Sequence, residues 1–188
     1  MALRFYTADL DARVRERLRV EADLRLALER VQGVMQASGV PPGGLALEVN
    51  EMTLMRNPGE IMEKLARLRQ HGIRVRLDDF GTGYSSMSYL RNLPVDCLKI
   101  DACFVAGMGG PGNDHNNDHK IVRAIIALGH SLGLQVIAEG VETAEQLAVL
   151  EAEGCDLAQG RYLTPPLSAT ALAQHLARDT PAPLRRLG

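Results

Sequence analysis

Short apolar runs alternate with amphipathic stretches through most of the chain after residue 44. The runs are rich in Leu, Val and Ile, which is typical of buried parallel strands. The stretches between them repeat apolar residues with the period of an amphipathic helix, and crossovers of this length connect parallel strands. The pattern therefore predicts an α/β fold with five parallel strands, at residues 45–51, 73–77, 97–100, 135–138 and within 155–163.

Capping residues mark the helices between these strands. Asn57 begins a helix that Gly72 ends, and Ser168 begins the last helix. Thr143 and Gln146 have the spacing of a capping box. A short helical segment is also predicted between the second strand and Pro94.

Residues 107–119 are rich in Gly, Asn and Asp and show no apolar period, so they predict a loop before a helix at residues 120–132. The loop contains side chains that could suggest a metal site. Surface loops of this composition are more often simply solvated, so we expect no metal there. The side chains concerned are those of Asp114, His115, Asp118 and His119.

A long amphipathic pattern precedes the first strand. Apolar residues recur at three- and four-residue spacing from Leu10 to Met35, which predicts one helix over residues 9–38. Charges of both signs fill its other face and favour an ordinary solvated surface over a membrane-bound or calmodulin-binding helix. The predicted organisation is a helix at residues 1–38, an α/β domain at 39–178 and a frayed tail at 179–188.

Composition limits the domain count, the possible partners and the expected cellular location. A chain of 188 residues suits one domain, and a net charge of −2 argues against a nucleic-acid polymer as partner. The three cysteines, Cys97, Cys103 and Cys155, lack metal-ligand spacing and are predicted to be small core residues of a reducing compartment. No signal peptide and no apolar run of about 20 residues is visible. We therefore expect a cytoplasmic protein without a membrane span.

Each predicted strand carries a polar residue at or near its carboxyl end. Asp at such a position commonly caps the next helix, which would explain the adjacent Asp78 and Asp79 alone. Capping has no need of a lysine or a glutamine, however, and the carboxyl ends of parallel strands meet at one edge. The set therefore predicts a site at that edge, formed by Glu48, Asp78, Asp79, Lys99, Glu139 and Gln159.

Neighbouring carboxylates repel one another unless a cation lies beside them. Oxygen ligands suit hard cations such as Mg²⁺ or Mn²⁺. Two such ions about 3.5–4 Å apart make water nucleophilic and stabilise phosphoryl oxygens. A nearby lysine can hold that water or the developing charge, so the pattern indicates metal-dependent chemistry on a phosphate.

Several motifs resemble the EAL-domain family, the cyclic-di-GMP phosphodiesterases of bacterial signalling. They are DDFGTGYSS at residues 78–86, LKID at 98–101, AEGVE at 138–142 and the pair Gln159-Gly160. LALEVNE, residues 45–51, resembles the acidic strand of the family, with Asn50 where a threonine is usual. Residues 4–30 resemble the helix that links a GGDEF domain to an EAL domain, which implies a GGDEF domain upstream in a parent protein.

The resemblance implies a TIM-type β/α barrel that hydrolyses cyclic-di-GMP to linear pGpG with two Mg²⁺ or Mn²⁺ ions. By motif, the metal ligands would be Glu48, Asp78, Asp79 and Glu139. The catalytic residues would be Lys99, Glu139 and Asp79. Lys99 is expected to be a charged hydrogen-bond donor, and the base would be Glu139 or a metal-bound hydroxide. Glu142 and Gln159 would lie in or beside the site. Glu51 would support the loop at residues 80–86, which reaches the dimer contact in the family and so suggests a homodimer.

The chain departs from the family between Arg30 and Val31, where about three strand–helix units of the barrel do not appear. They would include the strand with the glutamate of the EAL motif and a strand with an asparagine ligand. Five strands cannot close such a barrel, so we expect an open, partial barrel whose edges favour self-association. The activity is expected to be low or lost. The alternative is a non-catalytic remnant that binds nucleotide or a partner protein.

Overall fold

The computed structural model describes residues 29, 31, 33–41, 43–56, 58–83, 90–108, 113–177 and 185–186. In these residues one sheet follows the order of the chain. Its strands are β1 (Ala46–Asn50), β2 (Arg74–Phe80), β3 (Cys97–Ile100), β4 (Gln135–Ala138), β5 (Leu157–Ala158) and β6 (Arg185–Arg186). Strands β1 to β5 are parallel and β6 runs antiparallel to β5. Because β1 and β6 are the two edges, the sheet is open, and the predicted five-stranded parallel α/β fold is confirmed.

The helices follow the strands in sequence. They are α1 (Glu51–Arg56), α2 (Pro58–Gln70), α3 (Ala102–Ala106), α4 (Asn113–Ser131), α5 (Ala144–Ala152) and α6 (Ala169–Ala177). The capping box of α5 is confirmed: Gln146 N donates to Thr143 Oγ1 at 3.2 Å, and Thr143 N donates to Gln146 Oε1 at 3.1 Å. In the part of the chain just described, no helix is long and apolar enough to cross a membrane.

Successive strand residues point to opposite faces of the sheet, and each face has its own apolar cluster. Leu77, Leu98, Ile100 and Val136 belong to the large cluster that also contains the apolar residues of the helices. The other face carries a small cluster, which consists of Cys97, Ile137 and Leu157. Lys99 and Glu139 come two residues after Cys97 and Ile137, so both extend from this second face at the carboxyl ends of the strands.

One prediction about local structure was wrong, and two short helices were not predicted. Residues 113–119 belong to α4 rather than to a loop, because Asn and Asp are as common at helix starts as in loops. The short helices α1 and α3 were not predicted. Each begins directly after a strand, where the side chains of Asn50 and Asp101 accept hydrogen bonds from Met52 N and Cys103 N at 2.8 and 2.7 Å.

Cys97 and Cys155 are buried, as predicted for small core residues, whereas Cys103 is exposed. The exposure follows from its position in the first turn of α3, whose buried residue is Val105. Burial raises the pKa of the Cys97 thiol to about 12, which keeps it protonated and inert.

Predictions for both ends of the chain fall largely outside the described residues. Of the helix predicted at residues 9–38, residues 33–37 are helical, and Val31 and Met35 pack against the large cluster. The segment at residues 84–89 is not among those described. In the predicted frayed tail, residues 185–186 pair with Leu157 and Ala158, a contact that the sequence analysis did not anticipate.

Two aspartates fasten the strands at the edge opposite the predicted site. Asp96 Oδ2 accepts a hydrogen bond from Val75 N at 2.9 Å, while its Oδ1 lies 2.7 Å from Arg69 Nη2. Asp156 Oδ2 likewise accepts a hydrogen bond from Val136 N at 2.7 Å. These bonds fix where β2 and β4 begin, and therefore the register that carries their carboxyl ends to the site.

Asp96→Ala should lower the free energy of unfolding by about 1–3 kcal/mol, because it leaves the N–H of the buried Val75 without its acceptor. Arg69→Ala removes only an exposed ion pair and should cost less than about 1 kcal/mol. Urea unfolding followed by circular dichroism measures both losses. Equal losses in the two variants would contradict the assigned role of Asp96.

Candidate active site

The ammonium of Lys99 lies among three carboxylates that come from three other strand ends. Its Nζ atom is 2.7 Å from Glu48 Oε2, 2.8 Å from Asp78 Oδ1 and 2.5 Å from Glu139 Oε1. Parallel pairing places these carboxyl ends side by side, with Asn50 opposite Asp78 and Lys99 opposite Ile137. Four of the predicted site residues are thus brought together around one cation.

Burial makes the ion pairs of Lys99 important. The side chain of Lys99 is 3% exposed, and a buried charge is costly unless it is paired. Burial acts to lower the pKa of Lys99, but hydrogen bonds to Asp78, Glu139 and Glu48 outweigh it and raise the pKa well above the ordinary value of 10.5. Lys99 is therefore a permanent cation and hydrogen-bond donor, unsuited to act as a base.

Glu139 is the least exposed of the three acids around Lys99. Burial raises the pKa of Glu139, and the neighbouring charge of Lys99 only partly opposes this effect. Its Oε1 atom is buried, and its partner among the described residues is the ammonium of Lys99, at 2.5 Å. A carboxylate with a raised pKa is suited to accept a proton.

Asp79 has different neighbours from Asp78, because the strand is irregular at this point. The register of β2 against β3 shifts between Leu77 and Phe80, and Asp79 has φ 53°. Such a bulge turns a side chain away from the regular alternation. Asp79 accepts a hydrogen bond from Asn50 Nδ2 and lies beside Asp101. Burial and the charges of Asp78 and Asp101 raise the pKa of Asp79.

Glu51 is completely buried behind the loop that follows β2. Its Oε2 accepts a hydrogen bond from Gly81 N at 3.0 Å. A Cβ atom on Gly83 would lie 2.8 Å from Glu51 Oε1, so the loop backbone approaches this carboxylate closely. The structure therefore places Glu51 under residues 81–83, while residues 84–86 of the predicted loop lie outside the described residues.

The last two predicted residues lie further from Lys99 along the edge. Gln159 is exposed beside a cavity of about 410 Å³ that Pro165 and Leu172 also line. Glu142 is exposed as well, and its backbone N donates to Gln146 Oε1 at 2.7 Å. Neither side chain belongs to the group around Lys99.

Two charged residues of this edge were not among the predicted site residues. Asp101 follows β3 directly within the LKID motif, which is the signal that could have identified it. Arg76 Nη1 lies 3.5 Å from Glu48 Oε1. Its position two residues before Asp78 places it on the same face, which the strand period could have revealed.

The family model of the EAL domain matches residues 13–166 of the chain. The protein belongs to the EAL-domain family. The chain is 42% identical over 163 residues to the cyclic di-GMP phosphodiesterase NbdA of Pseudomonas aeruginosa, which covers 85% of this chain and 20% of NbdA. It therefore spans about a fifth of the length of that relative.

Solved EAL structures share the fold. A c-di-GMP complex of the PaMucR phosphodiesterase superposes with a TM-score of 0.70 and 39% identity, over 76% of this chain and 56% of that one. A manganese and cyclic-di-GMP complex of Klebsiella pneumoniae BlrP1 gives a TM-score of 0.65 and 31% identity, over 74% of this chain and 35% of that one. The partial coverage of both is consistent with a truncated EAL domain.

The acids of this EAL domain fit a divalent cation in their chemistry. Glu48, Asp78, Asp79 and Glu139 supply hard oxygen donors at one edge, and three of them surround a single cation, the ammonium of Lys99. However, the described residues hold no group of three or more ligating side chains arranged to hold a metal. The same holds for Asp118 and His119, which belong to the segment predicted as a loop at residues 107–119. His119 Nε2 lies 2.8 Å from Glu153 Oε1.

Glu139→Gln should remove part of the pH dependence of stability. Because the pKa of Glu139 is raised above 4.5 on folding, the folded chain binds more protons than the unfolded chain between pH 4.5 and the raised value. The free energy of unfolding therefore falls as pH rises through that window, and the variant should lack this fall. Urea titrations at several pH values measure it; an unchanged slope in the variant would contradict the raised pKa.

Proposed function

We propose that this chain is an EAL-type domain that hydrolyses cyclic-di-GMP to linear pGpG, with activity reduced by the missing part of the barrel. The observation that carries the proposal is the group of Glu48, Asp78 and Glu139 around the ammonium of Lys99. It lies at the edge of the sheet where α/β barrels bind their substrates. The family membership and the cyclic-di-GMP complexes of related proteins support this choice of substrate.

The charge of each side chain determines its proposed role in hydrolysis. Lys99 stays protonated and donates hydrogen bonds to the attacking water or to the phosphate, while Glu139 accepts the proton from that water. Glu51 holds the loop after β2 against the site. The residues that would hold Mg²⁺ or Mn²⁺ are Glu48, Asp78, Asp79 and Glu139. When bound, the ions supply positive charge that stabilises phosphoryl oxygens and makes water more acidic.

Reduced activity follows from what these side chains already bind. Glu48, Asp78 and Glu139 share the ammonium of Lys99, and Glu48 also faces Arg76. A cation entering this group must compete with two charged side chains. The two ligands expected from the absent strands would have helped it do so, and losing even a supporting residue of a metal site costs roughly 10–100-fold in affinity.

A second function is favoured by one observation. Since the point on which Glu48, Asp78 and Glu139 converge is occupied by the ammonium of Lys99, the domain would also suit a non-catalytic role. In that role the Lys99 group keeps the strand ends together, and the same edge binds cyclic-di-GMP or a partner protein without hydrolysis. Product analysis separates the two functions.

The setting proposed for the domain is the bacterial cytoplasm, downstream of a GGDEF domain in a parent protein. The three cysteines are free, as in proteins of a reducing compartment. Association into a homodimer is part of the proposal, and its support is that β1 pairs with one strand only among the described residues.

Hydrolysis is tested by incubating the chain with cyclic-di-GMP and Mn²⁺, followed by chromatography for pGpG. We expect slow turnover that falls by about 100-fold or more in Lys99→Ala and in Glu139→Ala, because each removes a group that acts on the reacting water. Glu63→Gln, on the exposed face of α2, is the matched control and should retain turnover. Equal turnover in all variants would indicate a contaminating enzyme, and bound but intact substrate would favour the non-catalytic role.

Divalent metal should bind weakly and through the acids of β2. Calorimetric titration with Mn²⁺ should give a shallow isotherm, because Lys99 and Arg76 compete for the same carboxylates. The double variant Asp78→Asn with Asp79→Asn should abolish the heat of binding. Two tight sites, or binding that survives the double variant, would be inconsistent with this assignment.

A further inference from the structure

Two consecutive residues at the end of β1 hold both sides of the irregular turn that ends β2. Asn50 Nδ2 donates to Asp79 Oδ2, and the next residue, Glu51, accepts from Gly81 N at 3.0 Å. The two residues they hold both have positive φ, 53° at Asp79 and 100° at Gly81. For a residue other than glycine this conformation is unfavourable, so surrounding contacts must maintain it at Asp79.

The side chain of Asn50 is held in one orientation by its other end. Its Oδ1 atom accepts a hydrogen bond from Met52 N at 2.8 Å at the start of α1. Rotating the amide by half a turn would lose this bond and would set an oxygen against the carboxylate of Asp79. The amide therefore has its acceptor toward α1 and its donor toward Asp79, as the two partners require.

We propose that Asn50 is a positioning residue for Asp79, and that it aims this carboxylate at the metal-binding edge before any metal arrives. This inference rests on the proposed function only in the claim that the carboxylate of Asp79 faces a metal-binding edge. The donor and acceptor are both needed: the acceptor fixes the amide to α1, and the donor transmits that fixed position to Asp79. Asn50 touches no reacting atom and acts through Asp79 alone.

The contact itself is tested by NMR on the metal-free chain. An Asn50 side-chain proton bound to Asp79 should exchange at least about 10-fold more slowly than those of the exposed Asn117, and Asp79→Ala should remove the difference. Asn50 protons that exchange as fast as those of Asn117 in the unaltered chain would overturn the proposal, whether or not the domain hydrolyses anything.

Two variants separate positioning from helix capping. Asn50→Asp keeps an acceptor for Met52 N but replaces the donor, so the carboxyl ¹³C signal of Asp79 should shift although α1 remains capped. Asn50→Ala removes both contacts and should shift the same signal. An unmoved Asp79 signal in Asn50→Asp would show that Asn50 serves α1 alone and would overturn the proposal.

The consequence for metal is measured with Mn²⁺. Asn50→Ala should weaken Mn²⁺ binding by about 10-fold or more, which is typical when the partner of a metal ligand is lost. Ser168→Ala, which removes the cap of α6, is the matched control and should leave affinity unchanged. Equal affinity in Asn50→Ala and the unaltered chain would contradict the proposal. A chain that binds no Mn²⁺ at all would refute the proposed function instead, and the NMR result would still decide the role of Asn50.

Discussion

The candidate site depends on one buried ammonium ion. Lys99 is enclosed at the end of β3, and water cannot compensate its charge there. The carboxylates of Glu48, Asp78 and Glu139 do so instead, and in exchange they are held within hydrogen-bonding distance of a single atom. Removing one partner would leave charge buried without compensation, so the interaction ties four strands together at their carboxyl ends.

The same interaction bears on the proposed weak binding of metal. Unpaired acids that repel one another gain much from binding a divalent cation, because the cation relieves their repulsion. Acids already paired with Lys99 and Arg76 gain less from such a cation. The second acidic group, formed by Asp79 and Asp101, is arranged differently. Burial, the charge of Asp78 and the contact with Asp101 raise the pKa of Asp79, and the amide of Asn50 opposes this rise. The EAL domain thus keeps the acids of the family's motifs, and three of them are paired with Lys99.

The sequence predicted the structure best where the apolar period of a strand ends at a polar residue. Strands β3 and β4 have the predicted bounds, and Glu48, Asp78, Lys99 and Glu139 meet because each ends a parallel strand. Composition could not separate the helix start at Asn113 from a loop, since the same residues suit both. The bulge that turns Asp79 toward Asn50 depends on a register shift against β3, and the pairing of Arg185 with Ala158 on a contact distant in sequence. Neither leaves a local pattern.

The charge state of Lys99 can be observed directly by ¹⁵N NMR of the ammonium groups in the metal-free chain. The protein has three lysines, Lys64, Lys99 and Lys120, so the signals are few and are assigned by single Lys→Arg variants. The account predicts that Lys99 gives a slowly exchanging ammonium signal that persists above pH 10.5, while the exposed Lys120 exchanges rapidly with water. A Lys99 signal that exchanges as fast as that of Lys120, or that loses its proton below pH 10.5, would contradict it.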